Sequence, residues 1–309
     1  MGDYAKAEPL YQQALQIRKK VLGPEHPDTA TSLNNLALLY DHMGAYTKAE
    51  PFYQQALLIE KKVLGPEHPD TVTSLGNLAS LYEHMGDYAK AEPLYQQTLQ
   101  IRKKVLGPEH PDTATSLNNL AHFYGHMGDY AKAEPLYQEA LEIRKKVLGP
   151  EHPLTATTLN NLASLYQHMG DYAKAESLYQ QALQIGKKVL GPEHPDTATS
   201  LNNLASLYED MVDYAKAEPL YQQTLQIRKK VLGPEHPDTV TSLNNLASLY
   251  GQMGAYAKAE PLYEQALQIR KKVLGPEHPD TATSLNNLAH LYGQMGAYAK
   301  AESLYQQAL

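Results

Sequence analysis

The chain has 309 residues, a formal net charge of -7 at pH 7, a pI near 6.0 and no cysteine. An acidic chain is not expected to bind nucleic acid, which favours strongly basic surfaces, and the lack of cysteine excludes disulfides, thiolate catalysis and cysteine-ligated zinc. No apolar run approaches the ~20 residues that span a bilayer, so we expect a cytoplasmic protein that binds neither membranes nor nucleic acid.

The hexapeptide LGPEHP divides the chain at regular intervals. It begins at Leu22, and six further copies follow every 42 residues, at Leu64, Leu106, Leu148, Leu190, Leu232 and Leu274. A fixed period of this length is typical of stacked repeats. We therefore predict one repeat array over residues 1–309, with seven full-period units and partial units at 1–23 and 296–309. Because the chain opens and closes on nearly the same segment, it looks like a stretch of a longer array.

The segment after each hexapeptide is predicted to be a helix. In the first full unit, Gly23 suits the end of the preceding helix, Pro24 prevents its continuation, and Pro27 fits a first helical turn. The apolar side chains that follow form one stripe at helical spacing: Leu33, Leu36, Ala37 and Tyr40. Gly44 then ends this first helix of the unit.

A second helix is predicted after Gly44. Its apolar residues also recur at helical spacing: Tyr46, Ala49, Tyr53, Ala56, Leu57 and Val63. Lys61 and Lys62 lie in its last turn, where positive charge is favourable. Since no strand pattern occurs anywhere, the predicted fold is all-α, a solenoid of helical hairpins that bury their apolar stripes on their neighbours.

Two motifs in these helices resemble the tetratricopeptide repeat family. Leu36-Ala37-x-x-Tyr40 and Ala49-x-x-x-Tyr53 stand where the family has Leu-Gly-x-x-Tyr and Ala-x-x-x-Phe. The family's Trp is absent, and Lys61 replaces its closing Pro, so the helix runs on and the period exceeds the usual length of about 34 residues. The longer unit is similar to the repeats of kinesin light chains. The resemblance implies a right-handed superhelix of antiparallel hairpins, whose first helices line a concave groove that binds protein partners.

Asparagines recur on the face of the first helix opposite its apolar stripe. They are Asn34, Asn35, Asn77, Asn118, Asn119, Asn160, Asn161, Asn202, Asn203, Asn244, Asn245, Asn286 and Asn287. Because an amide offers both a donor and an acceptor, such a row suits the backbone of an extended peptide. We predict that these residues bind peptide, while the alternative, that asparagine only solvates an exposed helix face, stays open.

Histidines end four of the first helices: His42, His84, His126 and His168. We predict that they line the same groove, where they also stabilise the helix C-termini, although neighbouring rings in such a row could capture nickel or zinc adventitiously. His26 and its copies stand beside proline in the connectors, too far apart for a local metal motif. We expect no metal site, no cofactor and no catalysis, because no nucleophile–base pair or phosphate-binding glycine loop is present.

All 27 lysines and arginines fall on the predicted second helices. A groove without cations cannot clamp a carboxylate or neutralise phosphates. The cluster Arg18-Lys19-Lys20 and its copies are predicted to be solvated helix ends.

The favoured function is a non-catalytic scaffold that binds an extended peptide or partner segment in its groove. The alternative is a structural array that associates head to tail, because near-identical repeats let one chain's end continue another's. One local weak point is also predicted, at Val212, which stands where six other copies have glycine at the turn between paired helices. If that turn needs a positive φ, a β-branched residue is costly there.

Overall fold

The computed structural model describes residues 4–308, apart from the side chain of Ala5. It divides into two compact units, one ending at Pro150 and the other beginning at Glu151. The described residues form fifteen helices and no strand, so the all-α solenoid predicted from the sequence is confirmed. None of these helices is both long enough and apolar enough to cross a membrane.

The first unit contains seven helices, namely α1 (Tyr4–Val21), α2 (Pro27–His42), α3 (Tyr46–Val63), α4 (Pro69–His84), α5 (Tyr88–Val105), α6 (Pro111–His126) and α7 (Tyr130–Val147). The second contains α8 (Pro153–His168), α9 (Tyr172–Ile185), α10 (Pro195–Asp210), α11 (Tyr214–Val231), α12 (Pro237–Gln252), α13 (Tyr256–Leu274), α14 (Pro279–Gln294) and α15 (Tyr298–Ala308). Even-numbered helices from α2 to α14 are the predicted first helices. Odd-numbered helices are the predicted second helices, and a π-helical turn, Gly186–Leu190, continues α9.

The histidine of each LGPEHP connector caps the helix that follows it. His26 has extended backbone geometry with ψ 141°, and its Nδ1 accepts a hydrogen bond from the backbone N–H of Asp28 at 3.1 Å. Pro27 then occupies the first helical position, where its missing N–H costs nothing. The same arrangement recurs at His68, His110, His152, His194, His236 and His278. The connector histidines are therefore helix caps, a role that the sequence did not indicate.

The turn between paired helices does require a positive φ. Gly44 has φ +70°, and its copies have similar values. Val212 has φ +61° at the same position and is the one non-glycine residue with positive φ within residues 4–308. The positive φ on which the predicted weak point at Val212 depends is therefore present, and its cost in stability stays a prediction.

The predicted apolar stripes form the core of each hairpin. Leu33, Leu36 and Ala37 on α2 are buried against Ala49 and Tyr53 on α3. The stripe of the second helix ends earlier than predicted, because Val63 lies in the last turn and is 48% exposed.

The arginine of each basic cluster is not the solvated helix end that the sequence predicted. Arg18 donates from Nη1 to the backbone carbonyl of Asp28 at 2.8 Å and to Ser32 Oγ at 2.9 Å, which ties α1 to α2. Arg228 makes the same pair of bonds and is 7% exposed. A guanidinium offers five donors in a planar fork, so it can satisfy two acceptors on the next helix at once.

First helices of successive repeats lie side by side within each unit. Helix α2 contacts α4 in the first unit, and α8 contacts α10 in the second. Their adjoining faces carry the asparagine and histidine positions singled out from the sequence, together with carboxylates such as Asp41 and Glu83.

Candidate functional site

The asparagines of the first helices fall into two sets. The first set contains the first member of each adjacent pair, and the second set contains the second member. The first member faces the neighbouring repeat in the pairs that begin with Asn34 and Asn160. Asn34 donates from Nδ2 to Ser74 Oγ at 2.6 Å and to Glu60 Oε1 at 3.0 Å. Asn160 donates to Ser200 Oγ at 2.9 Å, and Asn118 is 8% exposed. The amides of Asn34 and Asn160 therefore join successive repeats. Of the remaining first members, Asn202 and Asn244 are half-buried and Asn286 is exposed.

The second member of each pair lies one position further along the first helix, and none of the second members is fully buried. Asn35 and Asn119 are exposed, and the remaining members are half-buried: Asn77, Asn161, Asn203, Asn245 and Asn287. The two sets are connected where Asn245 Nδ2 donates a hydrogen bond to Asn202 Oδ1 at 2.9 Å. Seven amides therefore lie along the first helices, spaced by one repeat.

The histidine row is exposed, and two of its members pair with an acidic residue of the preceding repeat. His84 Nδ1 lies 2.9 Å from Asp41 Oδ1, a hydrogen bond that raises the pKa of His84. His126 Nδ1 lies 2.9 Å from Glu83 Oε1. His168 instead contacts the backbone carbonyl of Ser164 within its own helix, at 2.6 Å. His42 is exposed at the end of α2.

Glu83 forms the centre of a corner between α4 and α6. Its Oε2 accepts a hydrogen bond from the Tyr95 hydroxyl at 2.7 Å. Its Oε1 lies 2.9 Å from His126 Nδ1 and 3.6 Å from His122 Nδ1, and the two imidazole centroids are 4.1 Å apart. Burial by itself raises the pKa of Glu83, but the polar and positive groups of His122, Tyr95 and His126 outweigh it and lower that pKa. We call Glu83, Tyr95, His122 and His126 the histidine corner.

The second unit contains the same corner without histidine. Glu209 Oε2 accepts from the Tyr221 hydroxyl at 2.7 Å, as in the first unit. Its Oε1 accepts from Gln252 Nε2 at 2.6 Å and from Ser248 Oγ at 3.5 Å. Burial raises the pKa of Glu209, because these neutral donors offset only part of the lost hydration. We call Glu209, Tyr221, Ser248 and Gln252 the amide corner.

A hollow of about 110 Å³ opens beside Gly251 in the second unit. Glycine stands there at the position that Glu83 and Glu209 occupy in their repeats, so no acidic side chain fills the space. Asn287, His290 and Gln294 of α14 line its other side. The hollow has the size and polarity to receive a small side chain of a bound partner.

Sequence reasoning placed His126 in the groove but missed Glu83 and His122 as its neighbours. The spacing of His122 and His126, four residues apart on one helix, is a recognisable signal for a shared ligand. The contribution of Glu83 could not be found in this way, because it comes from the preceding repeat, 39 residues before His122.

Comparison with known sequences and structures supports the repeat assignment. The profile described as "Tetratricopeptide repeat" matches residues 1–57, 41–104, 70–122, 112–188, 155–230, 203–272 and 249–309. No curated protein matches the chain significantly.

Several solved structures are similar. BtubC (BKLC) from P. vanneervenii is 25% identical with a TM-score of 0.57, over 77% of this chain and 87% of that one. A putative kinesin light chain from Podosopora anserina, with nearly identical TPR-like repeats, is 32% identical with a TM-score of 0.55, over 66% of this chain and 97% of that one. The apo form of RapI is 16% identical with a TM-score of 0.60, over 90% and 96% of the two chains, and shows likeness of fold alone.

The repeat period, the helical hairpins and the matched segments agree from one end of the chain to the other. The helices pair in the order that the motifs predicted, and one similar structure is a putative kinesin light chain with nearly identical TPR-like repeats. This chain belongs to the tetratricopeptide repeat family.

Proposed function

We propose that this protein is a non-catalytic scaffold that binds an extended peptide along the first helices. The tetratricopeptide repeat is in general a scaffold for protein interaction. The observation that carries the proposal is the row of second-set asparagines, whose amides recur once per repeat on a face that the core does not use. An amide donates and accepts, so each can bond a peptide unit of a ligand.

The charge of this face indicates which peptides it accepts. No first helix carries lysine or arginine, whereas Asp210 is exposed on this face and Asp41, Glu83 and Glu209 lie less exposed along it. An acidic peptide would meet like charge without a compensating cation, so we expect neutral or basic peptides to bind. The hollow beside Gly251 supports the proposal, because it offers one recess for a ligand side chain.

A peptide array, followed by fluorescence anisotropy with the best sequences, tests the proposal. The variant Asn35→Ala, Asn77→Ala, Asn119→Ala removes three second-set amides of the first unit. At about 1 kcal/mol for each lost hydrogen bond, affinity should fall roughly 100-fold while helicity stays unchanged. The matched control removes three exposed amides from second helices, Gln13→Ala, Gln55→Ala and Gln97→Ala, and should leave affinity unchanged.

Two results would count against this function. Peptides that bind the triple asparagine variant as tightly as the parent chain would place the binding surface elsewhere. An array in which acidic peptides dominate would contradict the charge argument.

Head-to-tail association through the chain ends stays a prediction, since residues 1–3 and 309 lie outside the described part of the chain. The cytoplasmic location expected from the lack of cysteine likewise belongs to the proposal. Sedimentation velocity across a wide concentration range would show association directly.

A further inference from the structure

The histidine corner contains a buried carboxylate oxygen whose nearest polar neighbours are two imidazoles. The Glu83 side chain is 8% exposed. Its Oε1 receives no hydrogen bond of good geometry from any described residue, although two imidazoles face it. A buried carboxylate oxygen that lacks a well-aligned donor keeps the capacity to bind a further partner, such as a cation.

The three side chains that converge here are of the types that bind zinc. One donor atom each from Glu83, His122 and His126 lies within 4.8 Å of the other two. A tetrahedral zinc ion with bonds of about 2.0–2.1 Å separates its ligands by about 3.3 Å. The distances from Glu83 Oε1 to the two imidazole nitrogens, 2.9 and 3.6 Å, bracket that value.

We propose that Glu83, His122 and His126 form a zinc site that links α4 to α6. Two histidines four residues apart on one helix, with a carboxylate from a second element, match the ligand set of three-ligand zinc centres. Because the imidazoles are 49% and 57% exposed, the fourth position is open to water or to a ligand in the groove. The ion would supply a positive charge on a face that has no lysine or arginine.

The surroundings of Glu83 hold the carboxylate in place for this role. The Tyr95 hydroxyl bonds its other oxygen, Oε2, at 2.7 Å. The Tyr95 ring packs against Phe123 with centroids 5.5 Å apart, and Phe123 is fully buried. A hydrogen bond to the non-ligating atom and an apolar wall are the features that orient metal ligands in proteins.

Only one repeat brings the three residue types together. At the positions of Glu83, His122 and His126, the repeat before has Asp41, Ser80 and His84, and the amide corner has Glu209, Ser248 and Gln252. The repeat that ends the second unit has Gly251, His290 and Gln294. The corner is therefore a departure from the repeated pattern rather than a product of it, and the other repeats serve as internal controls.

Calorimetric titration of the chelator-treated chain with Zn²⁺ at pH 7.5, where histidine is neutral, tests the proposal. We expect one tight equivalent of zinc per chain. The variant His122→Ser, His126→Gln introduces residues that other repeats carry at these positions, so it should fold normally and bind zinc at least roughly 100-fold more weakly. Co²⁺ should give a visible absorption band of low-symmetry coordination with the parent chain and lose it with the variant.

The control variant His84→Gln, His168→Gln removes two exposed histidines outside the corner and should keep the tight equivalent. Glu83→Gln keeps both histidines and should weaken zinc binding as well, which separates the corner from capture by a histidine pair alone. Thermal unfolding should shift upward with zinc in the parent chain and not in the corner variants, since an ion that binds only the folded state stabilises it.

The proposal is overturned if the parent chain takes up zinc no more tightly than the variant with His122→Ser and His126→Gln. It is also overturned if Glu83→Gln leaves affinity unchanged, because the carboxylate would then not be a ligand. Circular dichroism without zinc confirms that each variant is folded.

Discussion

The histidine corner and the amide corner differ in two side chains and agree in almost everything else. In both, a glutamate near the end of a first helix accepts a 2.7 Å hydrogen bond from the tyrosine of its paired helix. In the amide corner, Gln252 satisfies the second glutamate oxygen. In the histidine corner, that oxygen is left without a hydrogen bond between His122 and His126.

The scaffold fixes where the carboxylate lies, while the next repeat decides which groups surround it and therefore whether it is held by neutral donors or by imidazoles. With amide and hydroxyl partners, burial dominates and the pKa of Glu209 rises. With two imidazoles, the pKa of Glu83 falls and the corner gains the donor set of a metal site. Four predictions follow this difference, from the largest expected effect to the smallest.

Transferring the two histidines should transfer the zinc site. The variant Ser248→His, Gln252→His places both imidazoles beside Glu209, whose tyrosine bond matches that of Glu83. We expect calorimetry to show two zinc equivalents per chain instead of one, with the new site within roughly tenfold of the original. The control variant Ser206→His, Asp210→His places both imidazoles beside Gln167 rather than a glutamate. We expect this variant to bind much less additional zinc.

A variant that stays at one equivalent would break the comparison. It would mean that Phe123, whose place Leu249 takes in the second unit, contributes as much to zinc affinity as the three ligands do.

A third buried carboxylate, that of Glu60, tests whether hydrogen-bond partners govern the charge state of a buried glutamate. Glu60 is 2% exposed, and burial raises its pKa to about 7, against hydrogen bonds from Ser74 and Asn34 that lower it. Because the folded pKa lies above the unfolded value of 4.5, the parent chain should lose stability as pH rises from about 4.5 through about 7. Glu60→Gln removes this loss and should be more stable by about 3 kcal/mol at pH 8, with little difference at pH 4.

Urea unfolding at both pH values measures this effect. Glu142→Gln makes the same change of charge at an exposed site of α7 and should show no such pH dependence. Equal gains from the two variants would attribute the effect to net charge instead of burial.

The tyrosine bonds common to both corners should contribute equally. Tyr95→Phe and Tyr221→Phe each remove a hydrogen bond to a charged acceptor, and each should cost about 2 kcal/mol in unfolding free energy. Tyr53→Phe is the matched control, because the Tyr53 hydroxyl is buried without a hydrogen-bond partner among residues 4–308 and should cost close to nothing to remove. Unequal losses at Tyr95 and Tyr221 would show that the two corners differ beyond their histidines.

The smallest predicted effect lies at the turn that follows the amide corner's glutamate. Val212 holds φ +61° and is 67% exposed, so its side chain gains little burial in return for the strain. Val212→Gly should stabilise the chain by about 1 kcal/mol. Gly254→Val, at φ +70° in the next turn of the same unit, should destabilise it by a similar amount. A melting temperature that stays constant in both variants would contradict a conformational cost at this turn.

The two asparagine sets show which part of the candidate site the sequence pattern predicted correctly. Helical periodicity placed both asparagines of each pair away from the apolar stripe, which is correct for Asn35 and Asn119. It could not separate them from Asn34, whose amide reaches Ser74 in the next repeat, 40 residues away. Adjacent positions on a helix differ by about 100°. The rotation of the helix about its own axis therefore decides which of two adjacent amides meets solvent and which meets a neighbouring helix.

The repeat period, the helical hairpins and the positive φ at Val212 followed from the sequence, because each depends on residues close together in the chain. Helix periodicity, proline, glycine and their spacing are local properties. The capping by His26 is also a local contact, since its Nδ1 accepts from the backbone N–H of Asp28 two residues on, although the residue type alone did not indicate it. The burial of Arg228 and the meeting of Glu83 with His122 and His126 were decided only by the tertiary structure. In both cases the interacting groups belong to different helices, and no local pattern encodes the rotation and separation at which stacked helices bring such side chains within a few ångströms of one another.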